Sequence, residues 1–236
     1  MKPVAVAIVC KTPAPGKSKT RLSPPLRPEE CAAISACFIQ DVSRTIGRLV
    51  AADGGIAGCA LYTPAGSEDV LRKLLPDGFA LVLQSGDDLG TRLVRGIDEL
   101  LHAGHNGVVL VNADGPTLPL PILRAAVDAV RGGDNVLLGP AHDGGYTMIG
   151  LSKPHPRLFA DIPWSTNAVY GVTLERAREI GLPVVEVPGW YDVDDEASLR
   201  MLEDELAGRP PAFAAAAGAD APATRRFLRD RNMRRE

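Results

Sequence analysis

Cysteine, histidine and aromatic residues are all scarce in this chain of 236 residues, which has four cysteines, four histidines and 5% aromatics. The cysteines form no C-x-x-C pair and have no spacing typical of a zinc site, which argues against a structural zinc centre and a disulfide framework. We therefore expect reduced, mostly buried thiols in a cytoplasmic protein.

The chain also lacks a long hydrophobic run and a large excess of charge of one sign. Its first apolar stretch, residues 4–10, is too short for the core of a signal peptide and far too short to span a bilayer. The formal net charge of −3 provides no overall attraction to nucleic acid or anionic membranes. The basic stretch at residues 225–235 carries one aromatic, Phe227, so we expect no nucleic-acid partner. Any site for an anion must therefore be local.

Segments with strand and helix patterns alternate along the chain. Apolar runs predict strands at residues 4–10, 56–62, 79–84, 107–112, 136–139, 146–151 and 184–187. Apolar residues at helical spacing predict helices at residues 28–50, 67–75, 120–131, 166–180 and 196–206, and another that ends at Gly104. This alternation predicts an α/β fold, a mostly parallel sheet with helices on both faces.

The predicted elements run through residues 1–206 without a linker, and we expect them to form one domain. Residues 207–236 begin with an Ala/Pro-rich segment and end in a basic tail. That composition predicts a mobile link and a loosely attached tail with some helix.

A basic loop, residues 11–22 with the sequence KTPAPGKSKTRL, directly follows the first predicted strand. Its prolines and Gly16 exclude a helix or strand there. Backbone N–H groups and lysines in such a loop can hold phosphates, although a solvated basic loop is the alternative. The run from Gly16 to Ser18 is similar to the end of a P-loop, but Lys11 stands where that motif needs a glycine. The four cations of the loop are Lys11, Lys17, Lys19 and Arg21.

Carboxylates follow other predicted strands, and in open α/β sheets ligands bind beyond the carboxyl ends of the strands. Asp114 follows the buried strand 107–112 and is the best candidate for a Mg²⁺ ligand, with a turn aspartate in Asp-Gly-Pro as the alternative. In an extended run, Asp192 and Asp194 point to the same side. The alternative is that Asp194 or Asp195 caps the following helix.

Six motifs occur in order along the chain: KTPAPGKSKTRL, GDDLGTRL, NADGPTL, GPAHDGGYTMIGL, PWST and DVDDEASL. This ordered set resembles the DUF2064 family, whose members are usually described as glycosyltransferase-like proteins of the nucleotide-diphospho-sugar transferase (GT-A) superfamily. The resemblance extends over residues 4–206. A more distant likeness is to the phospholactate guanylyltransferases, which carry a similar N-terminal basic loop.

The resemblance implies a three-layer, Rossmann-like GT-A fold that binds a nucleotide and a divalent cation, Mg²⁺ or Mn²⁺, at the carboxyl ends of the strands. By position, the residues facing the phosphates would be Lys11, Gly16, Lys17, Lys19 and Arg21. Those near the base or ribose would be Gly86, Leu89, Gly90 and Arg92. Metal ligands would be Asp114 with Asp192 or Asp194. The acceptor side would comprise Asp143, Gly144, Gly145, Tyr146, Trp164 and Ser165. Gly115 departs from the family pattern, in which a larger residue is expected after the aspartate.

Two enzymatic functions fit these residues. In nucleotidyl transfer, a small phosphorylated acceptor attacks the α-phosphate of a nucleoside triphosphate; Lys17 and Arg21 would stabilise the leaving pyrophosphate, and Mg²⁺ on Asp114 would bridge phosphate oxygens. In glycosyl transfer, the donor is a nucleotide sugar, and Asp143 would act as base on the acceptor. Four cations in one loop suit a triphosphate, so nucleotidyl transfer is the first expectation. A nucleotide-binding protein without catalysis is a third possibility.

Overall fold

Seven strands form one sheet in the computed structural model, which describes residues 2–233. The strands are β1 (Val4–Lys11), β2 (Ile56–Thr63), β3 (Ala80–Leu83), β4 (Gly107–Asn112), β5 (Val136–Pro140), β6 (Tyr146–Leu151) and β7 (Val184–Glu186). Their order across the sheet is β3-β2-β1-β4-β6-β5-β7. β6 runs antiparallel to both of its neighbours, and the other adjacent pairs are parallel. The predicted α/β fold with a mostly parallel sheet is therefore confirmed.

The helices lie on both faces of this sheet. They are α1 (Pro28–Ala52), α2 (Glu68–Arg72), α3 (Leu89–His102), α4 (Leu120–Arg131), α5 (Val169–Glu179), α6 (Glu196–Leu206) and α7 (Pro222–Met233). One core cluster joins the sheet to residues of α1, α4, α6 and α7, and the other joins it to residues of α3 and α5. These two clusters give the three layers that the GT-A resemblance implied.

β1 lies in the interior of the sheet, between β2 and β4. Its side chains alternate between the two cores: Val6 and Ile8 belong to the α1 side, and Ala5 and Ala7 to the α3 side. Burial on both faces explains why the stretch is a continuous apolar run rather than an alternating one. The basic loop leaves the carboxyl end of this strand.

The reversal at β6 brings an additional loop to the same edge of the sheet. β5 and β6 are joined by a short turn in which the amide of Ala141 donates to the carbonyl of Gly145, at 3.0 Å. β5 therefore ends, and β6 begins, where β1 and β4 also end. The loops after β1, β4 and β5 and the start of β6 therefore lie at this edge, and the segment after β7 joins them because β7 is parallel to β5.

The C-terminal segment differs from the loosely attached tail that its composition predicted. α7 packs against α1, and Leu228 belongs to the core. The buried carboxylate of Asp41 accepts hydrogen bonds from the amides of Ala223 and Thr224, at 3.0 and 2.8 Å. These contacts attach the helix because they satisfy amides that α7 leaves without intrahelical partners. The division at residue 206 stays a prediction, and residues 234–236 of the tail lie outside the described range.

Within the part of the chain that the structure describes, no helix combines the length and apolar character needed to cross a bilayer.

Candidate functional site

Lys19 lies at the centre of an ion-pair network beside the carboxyl end of β1. Its Nζ atom lies 2.8 Å from Oδ1 of Asp114 and 2.8 Å from Oδ1 of Asp194. The guanidinium of Arg21 contacts the other oxygen of Asp194, also at 2.8 Å. Burial alone would lower the pKa of Lys19, but the two carboxylates outweigh it and raise that pKa. The network joins the basic loop to the loops after β4 and before α6.

The backbone of the basic loop directs these side chains. Gly16 has φ of +69° and Lys19 has φ of +48°, so the chain turns sharply at both positions. The amide of Lys17 donates to the carbonyl of Ala14, and the amide of Ala14 donates to the Ser18 hydroxyl, each at 3.1 Å. The loop is thus folded by its own hydrogen bonds, which favours a fixed arrangement of its cations.

A cavity of about 270 Å³ lies under this loop, on the α1 side. All the cations of the loop line it: Lys11, Lys17, Lys19 and Arg21. The Lys11 ammonium donates to the carbonyl of Lys17, at 3.3 Å, so these two lysines are held close together. A concave surface with four cations is suited to an oligophosphate.

The second group consists of carboxylates, and Asp192 is the most buried of them. Its Oδ2 atom accepts a hydrogen bond from the Asn112 amide at 2.9 Å, while its Oδ1 atom is buried without a hydrogen-bond partner among the described residues. Burial, and then the negative charge of Asp114, raise the pKa of Asp192 to about 7. Asp195 is the residue that caps α6, because its Oδ1 atom accepts a hydrogen bond from the Ser198 amide at 2.9 Å. Asp192 and Asp194 are therefore free of that structural role.

Asn112 is a site residue to which the sequence analysis assigned no function. It is the last residue of β4, and its side-chain amide bridges Asp192 and the carbonyl of Tyr146, at 2.9 and 3.0 Å. The sequence signal for this residue was its position as the one polar side chain at the end of an otherwise apolar strand. Its partners are 34 and 80 residues away, so the bridge itself has no local pattern.

A divalent cation fits this arrangement only in part. No group of three or more His, Cys, Asp or Glu side chains within residues 2–233 is arranged to hold a metal ion. The Lys19 ammonium stands between Asp114 and Asp194, and both oxygens of Asp194 are occupied by cations. Asp114 and the unpartnered Oδ1 atom of Asp192 therefore remain as possible metal ligands. Because Mg²⁺ commonly binds through one or two carboxylates and substrate phosphates, these two fit a cation that arrives with a nucleotide.

A larger cavity, of about 860 Å³, opens on the α3 side of the same carboxylates. Five of the six predicted acceptor residues line it: Asp143, Gly145, Tyr146, Trp164 and Ser165. Gly144 does not line the cavity. It allows the chain to lie close to Asn167, because a Cβ atom at this position would lie 2.3 Å from the carbonyl oxygen of Asn167. The small and large cavities share Arg21, Asp114 and Asp194 in their walls.

The predicted base or ribose contacts are less well brought together. Leu89 lines the large cavity. The Arg92 guanidinium donates to the Gly86 carbonyl at 2.8 Å, within the loop that precedes α3. A Cβ atom at Gly90 would lie 2.7 Å from the Phe159 carbonyl oxygen, so this glycine permits a close approach of the chain. A nucleotide-binding role for Gly86, Leu89, Gly90 and Arg92 stays a prediction.

Gly115 has a structural explanation in the same region. A Cβ atom at this position would lie 3.0 Å from the carbonyl oxygen of Tyr191. The neighbouring backbone is also paired, because the amide of Val193 donates to the carbonyl of Asp114 at 2.9 Å. The small residue allows the segment that carries Asp192 to lie directly beside the segment that carries Asp114.

Part of the chain matches a known protein family. Residues 48–166, about half of the chain, match the model of a family described as uncharacterized proteins conserved in bacteria (DUF2064). The chain belongs to the DUF2064 family. No curated protein matches it in sequence.

Solved structures extend the likeness over the whole chain. A candidate nucleotide-diphospho-sugar transferase from Desulfovibrio desulfuricans G20 is 28% identical, with 99% of this chain and 96% of that one covered and a TM-score of 0.82. A CMP:2-keto-3-deoxy-manno-octonic acid synthetase in complex with CTP is 11% identical, with coverages of 88% and 99% and a TM-score of 0.55. Glucosyl-3-phosphoglycerate synthase from Mycobacterium tuberculosis, solved with Mn²⁺ and UDP, is 13% identical, with coverages of 89% and 81% and a TM-score of 0.51. The likeness to the last two structures shows that they share the fold of this chain.

Proposed function

We propose that this protein is a nucleotidyltransferase that passes a nucleotidyl group from a nucleoside triphosphate to a small acceptor and releases pyrophosphate. One observation carries the proposal: Arg21, Asp114 and Asp194 form a wall shared by two cavities, and Lys19 pairs with both of these carboxylates from the side of the small cavity. The cavity on one side is lined by the cations of the basic loop, and the other by carboxylates. A triphosphate lying across that wall would have its terminal phosphates among cations and its α-phosphate near the carboxylates.

Each part of the wall has a role in this proposal. Lys11 and Lys17 bind the terminal phosphates, and Arg21 neutralises charge on the departing pyrophosphate. Asp194 positions Lys19 and Arg21 through its two oxygens. Asn112 orients Asp192 through the hydrogen bond to Oδ2. Positioning and electrostatic stabilisation of this kind account for most of the catalysis in phosphoryl-transfer enzymes.

Mg²⁺ or Mn²⁺ is the cofactor that we propose for this site. Asp114 and Asp192 would hold it together with oxygens of the nucleotide, and it would supply positive charge to the phosphates. The Mn²⁺ in the M. tuberculosis neighbour supports a divalent cation in this fold.

The assignment is tested by the product released. The full chain is incubated with Mg²⁺, each nucleoside triphosphate and a panel of acceptors, and pyrophosphate is measured with an enzyme-coupled assay. We expect pyrophosphate to appear and to be lost in Asp114→Asn, while exposed Asp77→Asn retains it. A protein that binds nucleotides but releases neither pyrophosphate nor nucleoside diphosphate with any acceptor would be a non-catalytic nucleotide-binding protein.

Glycosyl transfer is the second candidate, and the description of the D. desulfuricans neighbour as a nucleotide-diphospho-sugar transferase favours it. The same cations would then stabilise a nucleoside diphosphate leaving group. In the assay with nucleotide sugars, release of nucleoside diphosphate without pyrophosphate from any triphosphate would replace the first proposal with this one.

A further inference from the structure

The large cavity is lined by more acidic than basic side chains. Four carboxylates line it, those of Asp114, Asp143, Asp192 and Asp194. Among the described residues in its lining, Arg21 is the one basic side chain, and its guanidinium is paired with Asp194 at 2.8 Å. Both oxygens of Asp194 are paired with Lys19 and Arg21, and Asp114 and Asp192 are the carboxylates proposed to hold the divalent cation with the nucleotide. An acceptor phosphate would therefore find no unpaired basic side chain in this lining, and Asp143 is a carboxylate there without an ion pair among the described residues. Such an arrangement disfavours an anionic ligand.

Part of this lining is an apolar wall, and Ser165, Thr166 and Asn167 are polar residues of the same lining. The apolar wall is formed by Leu89, Leu93, Val169 and the ring of Trp164, which packs edge-on against Tyr146 with ring centroids 6.5 Å apart. The Tyr146 hydroxyl is buried and has no hydrogen-bond partner among the described residues. Apolar walls with a few polar groups are typical of sites that bind uncharged organic groups.

A neighbouring cavity beyond Trp164 also has more acidic than basic side chains in its lining. Trp164 also lines a neighbouring cavity of about 580 Å³ that contains one basic side chain, Arg95, among its described residues. Asp88 and Asp161 line the same cavity, so its acids again outnumber its bases. By contrast, Lys11 and Lys17 line the small cavity under the basic loop, away from this wall. The cations are therefore concentrated on the side proposed for the donor.

We propose that the acceptor is an uncharged hydroxyl compound with an apolar body, rather than the phosphorylated acceptor that the sequence led us to expect. This inference rests on the proposed nucleotidyl transfer. The acceptor oxygen forms a bond to the α-phosphorus, the bond from that phosphorus to the pyrophosphate oxygen breaks, and the hydroxyl proton passes to the carboxylate of Asp143. A phosphate oxyanion would need no base, whereas a hydroxyl group does, and Asp143 lies in the wall of the large cavity.

The test uses matched acceptor pairs that differ by one phosphate. Phenylalkanols, prenyl alcohols and hexoses are each compared with their monophosphates, in the presence of Mg²⁺ and the triphosphate that binds best. We expect kcat/KM for the neutral member of the best pair to exceed that of its phosphate ester by at least roughly tenfold, a modest effect for one unfavourably placed charge. Equal or better use of the esters, or no neutral acceptor in the panel, would overturn the inference.

Two variants and one control variant sharpen the test. Leu89→Lys adds a cation to the apolar wall, and Leu83→Lys is its control, because both leucines are 40% exposed and Leu83 lies outside the cavity lining. Leu89→Lys should shift the preference toward the phosphate ester, and Leu83→Lys should leave it unchanged. Asp143→Asn should lower kcat by roughly a hundredfold or more, with the nucleotide Kd unchanged. An unaltered kcat in Asp143→Asn would remove its role as base.

Failure of this inference is distinguishable from failure of the proposed function. Nucleotide binding with Mg²⁺ is measured first, by thermal shift and without any acceptor. Absence of binding would contradict the proposed function. Binding and pyrophosphate release with a preference for phosphorylated acceptors would contradict the acceptor class alone.

Discussion

The ammonium group of Lys19 lies 2.8 Å from Oδ1 of Asp114, and its side chain is only 7% exposed. Such a short contact in a largely enclosed position makes Lys19 an internal counter-ion for Asp114, which follows β4, and it also pairs with Asp194, which precedes α6. A cation is thus built into the site before any ligand binds.

Replacing Lys19 with Met should lower the free energy of unfolding and weaken nucleotide binding. The carboxylates would lose their buried counter-ion, and because they are partly exposed we expect a loss of about 1–2 kcal/mol. Urea unfolding measures the stability, and Lys73→Met, at an exposed position, is the control. Wild-type stability in Lys19→Met would show that the pair contributes little.

Asp114→Asn should abolish the dependence of nucleotide binding on Mg²⁺. A neutral amide is a poor ligand for this cation, so titration calorimetry should give the same weak Kd with Mg²⁺ and with EDTA. In the wild type, EDTA should weaken binding. Asp77→Asn serves as the matched control at an exposed position. Retention of Mg²⁺-enhanced binding in Asp114→Asn would remove this residue from the metal site.

Lys17→Ala should weaken nucleotide binding by roughly tenfold without a change in stability, because its charge faces the small cavity rather than the core. The difference between the two proteins should shrink as salt is added, since the interaction is electrostatic. Lys73→Ala provides the comparison. An unchanged Kd in Lys17→Ala would support the alternative that the basic loop is solvated and binds no phosphate.

Asp41→Ala should destabilise the protein by about 1–3 kcal/mol, because the amides of Ala223 and Thr224 would lose their acceptor in a buried position. Asp41→Asn keeps one acceptor oxygen and should lose less. Denaturant unfolding compares both with Glu175→Ala at the exposed surface of α5. Equal stability of all the variants would argue that α7 is held by its apolar contacts alone.

Phe213→Ala should reduce turnover more than it reduces stability. The Phe213 ring stacks on His142, with centroids 4.7 Å apart, and packs edge-on against Tyr191 at 6.1 Å. It therefore links the turn between β5 and β6, which carries Asp143, to the segment that carries Asp192. Phe227→Ala, in α7, is the control for lost packing in the C-terminal segment. If both variants lose activity only in proportion to stability, Phe213 has no positioning role.

Several features were predictable because their physical cause is local. The continuous apolar run that forms β1 indicates burial on both faces, and Pro28 stands at the first turn of α1, where a missing amide hydrogen costs little. Gly16 and the prolines around it predicted a loop over residues 11–22, which is correct for residues 12–19; Lys11 is the last residue of β1, and Thr20–Leu22 form a short 3-10 helix. The position of Asp114, directly after β4, also followed from the strand pattern.

Long-range pairs were not predictable in this way. Lys19 was expected to face phosphates, yet its partner Asp194 is 175 residues away. Asp41 and Thr224 are separated by 183 residues, and composition alone led us to expect a loose tail. Similarly, the choice of Asp195 as helix cap, which leaves Asp192 and Asp194 for the site, depends on where α6 begins in space.

The sequence by itself determined the alternation of strands and helices, the layered α/β fold and the edge at which polar loops collect, since each depends on periodicity and on residues adjacent in the chain. Only the tertiary structure decided which charges meet. It paired Lys19 with two carboxylates, separated a cationic cavity from an acidic and apolar one, and attached α7 to the core. Those outcomes depend on distances between atoms that are far apart in sequence, and Coulomb energies and hydrogen bonds depend on such distances.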